Sequence, residues 1–143
     1  MSTTITVAVF RGDPLDWAMY RHTAIHVQYA DGEDNILHVT GAHPFFEYML
    51  QNDHPSQVSA KLEALIPVSS PSDDFTKAMI QSMCAITAVR NDLEHTDWNC
   101  QNWVGEALAN LVAIGCITRE ERSDALEKMV DVCLEAEDEP KDM

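Results

Sequence analysis

His22-Thr23-Ala24-Ile25-His26-Val27-Gln28-Tyr29, followed by Asp31-Gly32-Glu33-Asp34-Asn35 and then Ile36-Leu37-His38-Val39-Thr40, is the stretch that decides the fold. The outer runs are rich in β-branched residues and alternate in character, and the middle run is turn chemistry. Together they read as a β-hairpin. A hairpin commits the centre of the sheet to antiparallel pairing. Ile5 to Phe10 is another short alternating run, ended by Gly12-Asp13-Pro14. The second half of Val58 to Val68 reads as a further strand, with Pro67 marking an edge or an end. Phe45 to Leu50 reads as a short helical turn, Leu15 to Tyr20 as ambiguous with Trp17 and Tyr20 packed, and Asp53-His54-Pro55 as a loop.

Beyond this point the apolar period changes. Ser70-Pro71 is expected to open a helix, with Phe75, Met79, Met83 and Ile86 as its core stripe. Asn91 to Asp97 is a loop. Cys100, Trp103, Val104, Ala107, Leu108, Leu111 and Val112 then recur at spacings of three and four, with Gly115 as a natural stop. Thr118-Arg119-Glu120-Glu121 is a capping box. The helix it starts has Ala125, Leu126, Met129, Val130, Cys133 and Leu134 on its apolar face. Strands come early and helices late, so the expected class is α+β, a small antiparallel sheet packed against helices. Residues 1–134 form one domain, and the acidic residues 135–143 are expected to be a flexible tail.

The 143 residues carry 24 acids against 9 bases, a formal charge of −15. Phosphate backbones and anionic lipid repel such a chain, so no nucleic acid is expected as a partner. No basic leader and no long apolar run is visible, so no membrane anchor is expected and the chain reads as cytoplasmic. Cys84, Cys100, Cys116 and Cys133 are then expected to be reduced. No Cys-x-x-Cys pair is present, and neither a metal nor another cofactor is expected. Oligomeric state is not legible.

Asp97-Trp98-Asn99-Cys100-Gln101-Asn102-Trp103 places a cysteine in the first turn of a helix. Free N–H groups and the positive end of the dipole lie there, and both favour a thiolate. A nucleophilic thiolate needs a base, and the base needs an orienting group. His22 and His26 share a strand face by the period of two, and His38 falls on the same face, opposite Ala24 or His26 depending on register. Imidazole exchanges protons near neutrality.

Three segments, Arg21-His22-Thr23-Ala24-Ile25-His26-Val27, Asn35-Ile36-Leu37-His38-Val39 and Trp98-Asn99-Cys100-Gln101-Asn102-Trp103, resemble the circularly permuted papain-like (NlpC-type) superfamily, in particular its lecithin:retinol acyltransferase branch. The chain also resembles short fungal proteins with a Trp-Asn-Cys-Gln-Asn-Trp-Val signature. The first resemblance implies a permuted papain-like fold, with Cys100 as nucleophile, His22 as base and His38 as the orienting third member, a role that His26 could also fill. It implies a cysteine-dependent hydrolase or acyltransferase that acts on an amide, ester or thioester through a thioester acyl-enzyme. Its partner would be a small-molecule, acyl or peptide substrate. Gln101, Asn102 and Trp103 stand where the branch has Glu-His-Phe, so the cysteine–histidine chemistry carries over and phospholipid as substrate does not.

Trp98, Gln101, Trp103 and His26 are the candidate substrate-binding residues. Trp98 and Trp103 read equally well as plain core. The other three cysteines read as core, and His43, His54 and His95 as loop residues. Three alternatives stand beside the hydrolase: an isopeptidase of the permuted desumoylase-like type, a non-catalytic binding domain, and a histidine metal site.

Overall fold

In a computed structural model, whose described residues are 2–12, 15–52, 54, 55 and 61–138, five strands form one antiparallel sheet. They are β1 (Thr4–Phe10), β2 (His22–Gln28), β3 (Asp34–Thr40), β4 (Glu47–Gln51) and β5 (Leu62–Ser69). The order across the sheet is β4-β3-β2-β1-β5. Three helices follow: α1 (Lys77–Ala85), α2 (Cys100–Ala113) and α3 (Arg119–Leu134). This is the expected α+β class, a small antiparallel sheet with helices packed against it.

The hairpin forms as its pattern demands. Ile25 pairs with Leu37, His26 with Ile36 and Gln28 with Asp34, and Gly32 takes the turn at φ 90°. Continuing this register puts His38 opposite Ala24. Pleating then gives the sheet two chemically distinct faces. Ile5, Val7, Val9, Ile25, Val27, Leu37 and Val39 point towards the helices and are at most 1% exposed. Thr6, Ala8, Phe10, His22, Ala24, His26, Ile36 and His38 occupy the other face, where Ala8, Phe10, Ala24 and Ile36 make a second, smaller apolar cluster. The chain from 52 to 61 joins the two edge strands. Within it, His54 packs edge-on against His26 at 5.1 Å, on this second face.

Helix α2 is the core helix. Trp103, Val104, Ala107, Leu108 and Leu111 are fully buried. Each large apolar side chain among them contributes about 1.5–3 kcal/mol relative to exposure, more than the helix's propensities can supply. The side chain of Asn99 accepts from the Gln101 N–H (2.9 Å), and Asn102 Oδ1 accepts the Asn99 N–H (3.0 Å), which closes a capping box around Cys100. Gly115 ends the segment at φ 79°. Thr118 and Glu121 cap α3 reciprocally (2.9 and 3.0 Å), as their spacing predicts.

Two elements differ from the sequence reading. Ser70-Pro71 does not open a helix. β5 runs to Ser69, and α1 begins six residues after Pro71, where Thr76 caps it by accepting from the Met79 N–H (3.2 Å). The shift rotates the buried face onto Ile80 and Cys84, leaving Met79 38% and Ile86 67% exposed. Phe45 to Leu50 is not a helical turn, since Glu47–Gln51 is β4, paired with β3 from Ile36–Gln51 to Thr40–Glu47. Five residues are too few to display a period, and β3's outer backbone groups need partners. The start of the acidic tail is docked. Ala136 is buried, and the Asp138 N–H donates to Asp16 O (3.0 Å). The remaining tail residues lie outside the described ones, as do Asp13, Pro14, Asp53 and residues 56–60 of the segments discussed above.

Candidate functional site

His22 and His38 meet, as expected. His22 Nε2 lies 2.7 Å from His38 Nδ1, and His38 Nε2 lies 2.7 Å from Gln51 Oε1. The Gln51 oxygen is an acceptor, so His38 carries its proton on Nε2 and receives one from His22 Nε2–H. The result is a relay of neutral rings from His22 to Gln51. Burial, then the neighbouring His38, pushes His22 down to about 4. Burial also lowers His38 against the opposing bond from Gln51. His26 belongs to a separate group, with Nδ1 3.1 Å from Thr6 Oγ1 and Nε2 3.0 Å from Asp34 Oδ1. Burial lowers its basicity, and the bond to Asp34 opposes that.

Cys100 is on the opposite side of the sheet. Its Sγ lies 3.9 Å from Arg21 O, and its thiol also faces Thr23, whose hydroxyl falls short of a formed hydrogen bond. Arg21 and Thr23 flank His22, the first residue of β2, so the thiol rests against the backbone on either side of His22. The His22 ring projects the other way, onto Phe10 (5.8 Å between centroids) and His38. Strand alternation accounts for this separation, because a helix packed on the Thr23 face meets the side chains of that face while His22 leaves by the other. The expected Cys100–His22 pair is therefore not assembled. Cys100 is 8% exposed, and burial pushes its thiol up rather than down, outweighing the contacts from Thr23 and from the helix start that favour the thiolate.

The remaining candidates separate in the same way. Trp103 is fully buried in the core, its ring 5.7 Å from Tyr48. His26 lies on the histidine face. Trp98 and Gln101 do line a cavity, an open cleft of about 450 Å³ between α2 and α3. Arg90, Asn102, Glu106 and Arg122 complete its polar wall, and Leu126, Met129 and Val130 form its apolar side. The Trp98 indole N–H donates to Glu106 Oε2 (2.7 Å), and Arg90 Nη2 donates to Glu106 Oε1 (2.7 Å). Arg122 Nε donates to Gly105 O (3.0 Å). The Gln101 amide also ties the start of α2 to the segment that leads into β2, donating to Ala18 O (2.8 Å) and Arg21 O (3.1 Å). Arg90, Glu106 and Arg122 were not singled out from sequence. The available signal was Arg119 and Arg122 at a spacing of three in an acid-rich chain.

Among the described residues no group of three or more His, Cys, Asp or Glu is arranged to hold a metal. The facing histidine nitrogens bond to one another, to Thr6, to Asp34 and to Gln51. No described helix is long and apolar enough to cross a membrane.

A family model matches residues 9–118, more than three-quarters of the chain. The chain belongs to DUF6540, a family of unknown function. The DUF6540 match takes in the whole hairpin, α1, α2 and Thr118, the cap of α3. The α2 wall of the cleft thus falls within it, while Arg122, Leu126, Met129 and Val130 lie beyond it. No curated protein and no solved structure matches the chain.

Proposed function

We propose that this DUF6540 domain is a binding module whose site is the α2–α3 cleft. The observation that carries this reading is the pairing of an open cleft, walled by Trp98 and arginines, with a buried Cys100 that faces away from His22. Ligand sites are concave, largely apolar and furnished with a few polar groups, commonly at about 300–1,000 Å³, and the cleft fits that description. The ligand would be a small organic molecule. A reducing, cytoplasmic setting belongs to the same reading and is supported by Cys84, Cys100, Cys116 and Cys133, all present as free thiols. Thiol labelling tests the absence of cysteine catalysis. With iodoacetamide at pH 7, Cys100 of the folded protein is expected to react more slowly than a free thiol such as glutathione, because burial pushes its thiol up and leaves it little exposed. Alkylation of Cys100 faster than glutathione would overturn the reading.

A second reading keeps the cysteine hydrolase or acyltransferase, with the permuted papain-like fold and its isopeptidase variant. One observation favours it: Cys100 opens α2 directly against the backbone that flanks His22, and His22 bonds to His38. In this reading the first residues of β2 rearrange so that the His22 ring reaches the thiol. Cys100 then attacks an acyl carbonyl, its proton passes to His22 and on to the leaving group, and water or another acceptor releases the acyl group from sulfur. Hydrolysis of activated thioesters that is lost in both Cys100→Ala and His22→Gln is its test.

A further inference from the structure

Acids outnumber bases by 24 to 9 in this chain, and its buried and half-buried cations are matched accordingly. Arg21 pairs with Asp16 (2.8 Å), Lys77 with Asp31 (2.9 Å), Arg11 with Glu137 (2.8 Å) and Arg90 with Glu106 (2.7 Å). Arg122 departs from this pattern. Among the described residues no carboxylate lies within ion-pair distance of it, and its bond to Gly105 O uses only Nε. That bond fixes the guanidinium plane and leaves the two terminal nitrogens as a planar fork. Arg122 borders the cleft of about 450 Å³ and also a second cavity of about 400 Å³ over Ala109 and Val112. Among the described residues the one acid on the cleft wall, Glu106, is already neutralised by Arg90 and bonded by Trp98. The wall therefore presents one uncompensated, oriented cation beside the apolar Leu126, Met129 and Val130.

We infer that the cleft takes a small apolar carboxylate, its carboxyl group held by the Arg122 fork and its hydrocarbon body laid against Leu126, Met129 and Val130. This deepens the binding-module reading and rests on it. A guanidinium matches a carboxylate bidentately, whereas ammonium ligands are repelled and alcohols lose the charge-assisted bonds. The half-open site discounts that advantage to about tenfold over the matching alcohol.

The test titrates the full chain with naphthoate, naphthylmethanol and naphthylmethylammonium, following the Trp98 indole, the Gly105 amide and the Met129 methyl by NMR. Naphthoate is expected to shift all three signals at about one-tenth of the alcohol concentration, with the ammonium weakest. Arg122→Gln should remove the preference, bringing naphthoate to the affinity of the alcohol in the same variant. Arg122→Lys should keep part of the preference, and a melting curve checks that each variant is folded. Should Arg122→Gln not fold, added salt supplies the second measurement, since it must weaken naphthoate and spare the alcohol. Equal binding of naphthoate and alcohol, or a preference that survives Arg122→Gln or high salt, overturns the carboxylate inference and leaves the binding-module reading standing. If none of the three probes shifts the cleft signals, the binding-module reading itself falls.

Discussion

Replacing His22 with glutamine should flatten the acid side of the stability curve. The His22 ring is held at about 4 in the folded chain, against 6.5 when unperturbed, by burial first and by His38 second. Between those values the unfolded chain binds a proton that the folded chain does not. The contribution is complete above pH 6.5 and is lost as the pH falls towards 4. Linkage with these two values gives a loss of about 2 kcal/mol between about pH 7 and pH 5 from this one ring. His38 and His26 are also lowered, so they add losses of the same sign in wild type and variant alike. The substituted glutamine can still donate to His38 Nδ1, which keeps the relay's hydrogen bond while removing its first titrating member. Urea unfolding at about pH 7, 6 and 5 measures the effect, and the wild type should lose about 2 kcal/mol more than His22→Gln over that range. Parallel losses in the two proteins would refute the placement of His22 on a buried face against His38.

The Asp16–Arg21 pair, with both side chains 2% exposed, is the most buried charge contact among the described residues. Asp16→Asn strands the guanidinium, and the urea midpoint should report a loss of about 3–5 kcal/mol at unchanged slope. Tyr48 has a buried hydroxyl with no hydrogen-bond partner among the described residues. Tyr48→Phe removes an uncompensated desolvation cost, so its melting temperature should rise, by the equivalent of about 1 kcal/mol. Thr118→Ala deletes one half of the α3 capping box (3.0 Å from the Glu121 N–H) and should cost about 1 kcal/mol in the same melting experiment.

The parts of the fold that were legible are those whose local chemistry and tertiary role agree. The hairpin's alternation, its Gly32 turn, the α2 periodicity and the Thr118 box each say locally what the packing later requires. Where a short segment depends on a partner, the sequence misleads. Glu47–Gln51 becomes β4 because β3 has an unpaired edge, and α1 starts after Thr76 because Ser69 still belongs to the sheet. Thr76 is the cap and Lys77 the first residue of α1, and neither cause is visible within five or six residues of chain. The Asp16–Arg21 pair is equally silent in sequence, since nothing in its spacing announces that Val132 and Glu137 will close over it.

For the site, sequence reasoning located the right strands and misplaced one face. His22, His26 and His38 do share a side of the hairpin, because parity fixes that once the strands exist. Parity says nothing about which side the Cys100 helix will cover. That is settled by which face is more apolar, and Ile5, Val7, Val9, Ile25, Val27, Leu37 and Val39 outweigh Ala8, Ala24 and Ile36. A helix as apolar as α2 must pack on the richer face, which puts Cys100 beside Thr23 and turns the histidines away from it. The apolar balance between the two faces is already present in the sequence. The face a helix must cover, weighed before the side chains that could meet, separates Cys100 from His22. In the proposed binding-module reading the site then lies on the helix pair, where Arg122 stands with no described acid within ion-pair distance.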